Sequence, residues 1–401
     1  MAGKITILLP VEYYQPAFRA GGPVRTLAGI VEHLGKEFDF KIITRNWDLG
    51  ETQPFAATQP DRWNLVGNAL VFYLSPPNCN GKRLRALVNE TPHHLMYLNS
   101  FWSGLFSVSL LWARRFQRIE QKPVLMAPRG ELAPEALSHK KIKKTLYLHA
   151  SRCLRLCQGI SWQGSNAQET SQIRAFIEKW IDSAPQSAIH TAIDLRPAPD
   201  CVIRAKTGKH PGFLRLVFLA RIHPIKQLDL ALKILGQVKG DVYFGIYGPI
   251  EPGSEAYWEK CRGLIRSLPA NVTAEYKGTL AAAQVVEELH GYHAFLMPSK
   301  TENYGHSIAE ALEAGCPVVI SDQTPWRHLA EKGVGWDLPL HQPDLFVEAL
   351  QKLVDMEDRK YQERSVACRE YAGTATNSPE VIAVYRQMFL QAAGASGSRS
   401  H

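Results

Sequence analysis

The chain lacks any apolar run long enough to cross a membrane. Its best candidate, around Leu105 to Ala113, is broken by serines and stops at Arg114, well short of the ~20 residues a spanning helix needs. The apolar stretch after Lys4 turns polar at Glu12, too soon for a secretory leader. Seven cysteines, Cys79, Cys153, Cys157, Cys201, Cys261, Cys316 and Cys368, are scattered without zinc or disulfide spacing, which favours a reduced, cytoplasmic setting. Cys153 and Cys157 are four apart, but Leu154, Arg155 and Leu156 between them read as helix. No Asp-x-Asp pair occurs, which argues against a mechanism that holds a diphosphate through a metal. No dinucleotide fingerprint occurs either. Gly21-Gly22 opens a helix after the first strand, without the third glycine or the downstream acidic residue of that motif.

What is present suits a two-domain globular protein. The chain has 401 residues, 45% of them hydrophobic and 21% charged, and that length divides naturally into two cores. Its net charge is 46 − 38 = +8, which fits phosphorylated ligands or an anionic membrane surface. No nucleic-acid module accompanies the charge.

Apolar runs alternate with helical patterns throughout, which predicts parallel sheets with helices on both faces. In the first half Ile5–Leu9, Lys41–Thr44, Ala69–Leu74, Leu95–Leu98, Val124–Ala127 and Gly159–Gln163 read as strands. Around Pro197 to Gly212 the pattern dissolves into a linker rich in proline, lysine and glycine. A second series follows, with strands at Leu214–Leu219, Val242–Tyr247, Val272–Tyr276, Ala294–Pro298 and Pro317–Ser321. The expected division is a first domain over 1–196, a second over 197–377, a helix over 378–391 packing back on the first domain, and a disordered tail over 392–401. Ligands of such folds bind at the carboxyl ends of the strands.

The segment Thr301-Glu-Asn-Tyr-Gly-His-Ser-Ile-Ala-Glu310 carries two carboxylates seven residues apart. Glu302 is expected on a strand-to-helix loop and Glu310 about two turns into the helix. They are too far apart to share one ligand atom, but could grip two ends of an elongated ligand. Free amides at the helix start, around Gly305 and His306, would favour a phosphate. Upstream, Arg221 and Lys226 flank a proline turn at another strand end. Two cations there could neutralise a departing diphosphate without a metal. Gly22 lets the backbone approach a phosphate closely. Between Arg129 and Arg155, Lys140, Lys141, Lys143, Lys144 and Arg152 accompany Ile142, Leu146, Ala150, Cys153 and Cys157 at helical spacing. That pattern reads either as a solvated charged face or as a helix contacting an anionic membrane.

These motifs together resemble the retaining glycosyltransferases of the GT-B fold, specifically glycosyltransferase family 4. The matching residues are Leu219-Ala-Arg221 with Lys226, Gly245-Ile-Tyr-Gly248, Tyr276-Lys-Gly278, Pro298-Ser299 with Glu302 and Glu310, and Ala314-Gly-Cys-Pro-Val318. In the first half they are Gly21-Gly22, Ala127-Pro-Arg-Gly-Glu-Leu132, and Gly164-Ser165 with Glu169. The resemblance implies two doubly wound Rossmann-like domains facing a cleft. It implies transfer of a sugar from a UDP- or GDP-linked donor to a glycan or lipid-linked glycan, in bacterial cell-surface polysaccharide synthesis. It also implies that Arg221 and Lys226 hold the donor diphosphate and that Glu310 binds the ribose. Glu302 and the amides of Tyr304, Gly305 and His306 would address the transferred sugar, with Gly248, Gly278 and Asn303 completing the donor site. No metal or other cofactor is implied. Three positions depart from the pattern: Asn99 stands where members often carry histidine, His190-Thr-Ala192 where they carry Pro-Asn-Gly, and Gln227 where they carry glycine. The competing readings are a nucleotide-sugar epimerase of the same fold and a non-catalytic sugar-binding protein.

Overall fold

The computed structural model describes residues 4–133, 136–137, 141–181, 189–197, 206, 208–281 and 284–394. Its contacts divide the chain into one unit formed by 1–198 with 377–401 and a second formed by 199–376.

The first unit is built on an eight-stranded sheet of order β3-β4-β2-β1-β5-β6-β7-β8. Its strands are β1 (Thr6–Pro10), β2 (Asp39–Arg45), β3 (Trp63–Val66), β4 (Ala69–Leu74), β5 (Leu95–Asn99), β6 (Val124–Ala127), β7 (Ser161–Gly164) and β8 (Ile189–Thr191). All neighbours pair in parallel except β3 with β4. The central strands are apolar runs because both faces are covered: consecutive Ile7, Leu8 and Leu9 are fully buried, as parallel sheets require. The helices are α1 (Gly22–Leu34), α2 (Gly81–Glu90), α3 (Ser109–Arg115), α4 (Lys141–Cys153) and α5 (Ala167–Trp180), with a π-helical turn at Gly104–Val108. The strand order reverses between β1 and β5, the place where open α/β sheets bind ligands.

The second unit has a six-stranded parallel sheet of order β11-β10-β9-β12-β13-β14. Its strands are β9 (Phe213–Leu219), β10 (Asp241–Tyr247), β11 (Val272–Tyr276), β12 (Ala294–Met297), β13 (Val318–Ser321) and β14 (Gly335–Leu338). Its helices are α6 (Leu228–Leu235), α7 (Glu255–Arg266), α8 (Val285–His290), α9 (His306–Glu313), α10 (Pro343–Val354) and α11 (Asp358–Thr376). Here the order reverses between β9 and β12, so Arg221 and Glu302 follow the two strands that flank the switch point.

The closing helix α12 (Pro379–Gly394) belongs to the first unit. Phe389 meets Phe38, Phe40 and Tyr97 edge-on at 5.5, 6.1 and 5.4 Å. The helix runs three residues into the tail expected to be disordered, because Ala392 is buried and alanine favours helix. Residues 395–401 and most of the expected linker at 197–212 lie outside the described residues. Lys206 of that stretch is buried, its Nζ donating to the carbonyls of Leu289 and Tyr292 at 2.7 Å.

Candidate active site

In the second unit the two loops at the switch point are stitched together. Lys300 N–H donates to Ile225 O at 2.8 Å, and Ser299 Oγ donates to the same carbonyl at 3.1 Å. Glu302 is anchored by its own N–H donating to Gln323 O at 3.0 Å. Its carboxylate takes a short hydrogen bond from Lys226 Nζ, with both side chains largely buried. The structure therefore brings together two of the residues selected from sequence. Lys226 ends a short 3₁₀ turn that starts at Pro224. His223 caps this turn, its Nδ1 accepting from Ile225 N–H at 3.2 Å. Gln227 follows in the left-handed region at φ 52°, the conformation that glycine adopts without strain. The position thus takes a conformation that suits glycine, and Gln227 holds it at a conformational cost.

Arg221 is placed differently. Its guanidinium is half-exposed and pairs with Glu251 at 2.8 Å, a residue that sequence reasoning did not select. The loops carrying these two residues are joined by a bridge between Ile222 and Ile250. Gly248 and Gly278 also have structural work. A Cβ at Gly248 would lie 1.8 Å from Ala220 O, and Gly248 N–H donates to Gly278 O at 2.8 Å.

Glu302 and Asn303 occupy the loop between β12 and α9, as expected. Gly305 caps α9 in the left-handed region at φ 83°, and a Cβ there would meet Ile308 Cδ1 at 2.7 Å. Because α9 begins at His306, Glu310 stands just over one turn into the helix, not two. It is 3% exposed. Tyr304 is buried against Trp326, whose Nε1–H donates to Tyr304 O at 2.6 Å. His306 packs edge-on against the Tyr304 ring at 4.8 Å. Trp326 was missed because only the folded chain brings it to this loop.

In the first unit Gly22 begins α1, and Gly21 caps it at φ 74° with open space where a Cβ would stand. Asn99 ends β5 and is buried. Its Oδ1 accepts from Arg129 Nε at 3.0 Å and Nη2 at 2.8 Å, while its Nδ2 has no hydrogen-bond partner among the described residues. Arg129 also forms a buried ion pair with Asp194. Burial pushes the Asp194 carboxyl above its ordinary range, and the Arg129 guanidinium opposes that rise. Arg129 therefore does not belong to the basic face that its sequence neighbourhood suggested.

The basic helix α4 is turned relative to expectation. Leu148 and Ser151 are buried, whereas Ile142 and Leu146 are 78% and 65% exposed. Lys144 points inward, its Nζ 5.0 Å over the Trp102 ring and donating to Ala136 O at 2.5 Å. Lys143 and Arg152 remain exposed. Lys140 and the side chain of Lys141 lie outside the described residues. Among the described residues no helix is long and apolar enough to cross a membrane.

Residues 202–373 match the family of glycosyl transferases group 1. The second unit is a group 1 glycosyltransferase domain. No curated protein sequence matches the chain, but solved structures match it over nearly its full length. Sucrose-phosphate synthase from Thermosynechococcus elongatus is 14% identical with a TM-score of 0.67, covering 97% of this chain and 99% of that one. Anabaena Alr3699/HepE in complex with UDP and glucose is 15% identical with a TM-score of 0.66 and the same coverage. WaaG, a glycosyltransferase involved in lipopolysaccharide biosynthesis, is 14% identical with a TM-score of 0.60, covering 96% and 99%. At such identities the likeness speaks for the fold: this glycosyltransferase is built of two Rossmann-like units, as in GT-B.

Proposed function

We propose that the enzyme transfers a sugar, with retention of configuration, from a nucleotide diphosphate sugar to a hydroxyl of a glycan or lipid-linked glycan. The observation that carries this reading is the Lys226–Glu302 pair. It lies at the switch point of the family-matched unit, beside a glycine-led helix start. Lys226 and Arg221 neutralise the diphosphate as it leaves, and Arg221 exchanges Glu251 for phosphate oxygens. The first-turn amides of α9 and the Glu302 carboxylate position the transferred sugar, and Glu310 accepts from ribose hydroxyls. The leaving phosphate oxygen helps take the acceptor proton, so the protein supplies positioning and charge stabilisation and not a covalent nucleophile. With two cations on the diphosphate, the reaction needs no metal. The Anabaena HepE structure with UDP and glucose supports a uridine nucleotide as the first donor to try. The likeness to WaaG supports a place in surface-polysaccharide synthesis.

The setting we assign is the cytoplasmic face of the membrane. Exposed Ile142 and Leu146, flanked by Lys143 and Arg152, suit an interfacial helix on anionic lipid. Of the lysines expected on that face, Lys143 stays exposed and Lys144 turns inward.

A thermal-shift screen of UDP-, GDP- and ADP-sugars tests the function. The expected result is stabilisation by one nucleotide sugar and acceptor-dependent release of its nucleoside diphosphate. Turnover without an acceptor would point to an epimerase, and no response to any nucleotide would remove the transferase reading.

A further inference from the structure

The carboxyl edge of the first unit's sheet holds a second cluster that the donor chemistry does not use. Arg45 ends β2, with its guanidinium carbon 5.5 Å from the Tyr13 ring, 5.7 Å from Trp47 and 5.9 Å from Phe106. Phe106 sits in the π-helical turn, an uncommon element that recurs at functional sites. The hydrogen bonds of Arg45 are loose: Nη2 reaches Glu12 Oε1 at 3.4 Å and Nη1 reaches the Tyr13 hydroxyl at 3.5 Å. Three rings thus hold the cation in place while its donors remain open to better acceptors. Glu12 is itself steadied by Ser103 Oγ, which donates to Oε1 at 2.9 Å. About a quarter of the Arg45 side chain and a third of the Glu12 side chain are exposed. Tyr13 and Trp47 are half-buried.

We infer that this cluster is a subsite for a neutral saccharide unit, with Trp47 as its stacking face and the Glu12–Arg45 pair as its hydroxyl-reading end. A carboxylate that accepts and a guanidinium that donates, fixed side by side, match two neighbouring hydroxyls of a sugar ring. The half-buried indole of Trp47 suits the ring's C–H surface. Charge argues against an anionic ligand. Glu12 already opposes the Arg45 charge, and the Asp48 carboxylate lies close by, accepting from the amides of Phe18, Arg19 and Leu49. Calling this saccharide the acceptor rests on the transferase reading above. The subsite itself does not.

Saturation-transfer NMR and calorimetry on the full chain, without nucleotide, provide the test. Maltose, cellobiose and lactose serve as neutral probes and glucose 6-phosphate as the anionic one. At least one neutral disaccharide is expected to bind, and Glu12→Gln and Trp47→Ala are each expected to weaken it roughly tenfold. Trp47→Phe should recover most of that loss. Leu65→Ala, at an exposed position on β3, should leave binding unchanged. Glu12→Gln preserves side-chain size, so the inference stays testable if Trp47→Ala does not fold. Three results would overturn it: no binding of any neutral probe, binding indifferent to both Glu12→Gln and Trp47→Ala, or preference for the phosphorylated sugar. Saccharide binding in a chain that ignores every nucleotide sugar would leave the subsite standing and remove only the transferase reading.

Discussion

Lys226 and Glu302 face each other across the reversal of strand order in the second unit, with 15% and 11% of their side chains exposed. Neither charge is well solvated, so each depends on the other. The cation assigned to the diphosphate and the carboxylate assigned to the sugar are thereby held in register before any ligand arrives.

That dependence predicts strong coupling. Lys226→Met and Glu302→Gln should each destabilise the second unit by about 1–3 kcal/mol, and the double variant by less than their sum. Turnover should fall roughly 10²–10³-fold in either single variant. Urea denaturation gives the stability cycle; strict additivity would mean that the pair is not an interacting unit.

Transfer should survive a chelator. The charge on the departing diphosphate is assigned to Arg221 and Lys226, so excess EDTA is expected to leave initial rates within about twofold. Loss of activity in EDTA, restored by magnesium or manganese, would transfer that role to a metal.

A pH effect is expected at His293. Burial, reinforced by Lys209, Lys206 and Arg215, lowers its pKa to about 4, and its Nδ1 accepts from Arg215 N–H at 3.1 Å. Above the unfolded value of ~6.5 both states are neutral and stability is full. As pH falls from there towards about 4, only the unfolded chain takes up the proton and stability declines, by at most ~1.4 kcal/mol per pH unit. His293→Asn should flatten that part of the profile in denaturant titrations. An unchanged slope would show that the ring already carries its proton when folded.

The membrane contact is expected to run through the exposed stripe of α4. Replacing Ile142 and Leu146 by serine, or Lys143 and Arg152 by glutamine, should release the protein from phosphatidylglycerol vesicles in a flotation assay. The parent should float with these vesicles and not with neutral ones. A parent that never binds, or variants that bind equally well, would leave only a solvated face.

Much of the fold could be read from the chain because its central strands are buried on both sides. Ile7–Leu9 and Ala294–Pro298 are therefore unbroken apolar runs. The strands that escaped notice are short or partly exposed. In β3, Trp-Asn-Leu-Val alternates and precedes a Gly67-Asn68 hairpin turn that was available as a signal. β8 has three residues, and β14 is Gly-Trp-Asp-Leu with three half-buried positions. The loop position of Glu302 was legible because strand-to-helix alternation fixes it. Its partner Lys226, the Arg221–Glu251 pair and the packing of Trp326 on Tyr304 join residues 20 to 80 positions apart, which local periodicity does not encode. Helix α4 shows the limit within one element. Its apolar residues define two stripes, and only the neighbouring α5 and the Trp102 loop decide which is buried.

The most direct test of the account compares Glu310→Gln with Glu302→Gln, both conservative in size. Nucleotide affinity is measured by calorimetry and turnover by diphosphate release. If Glu310 grips the ribose and Glu302 meets the transferred sugar, Glu310→Gln should raise the donor Kd and KM together. Glu302→Gln should lower kcat while leaving Kd within about threefold. Loss of nucleotide binding in Glu302→Gln, with Glu310→Gln unaffected, would contradict the assignment.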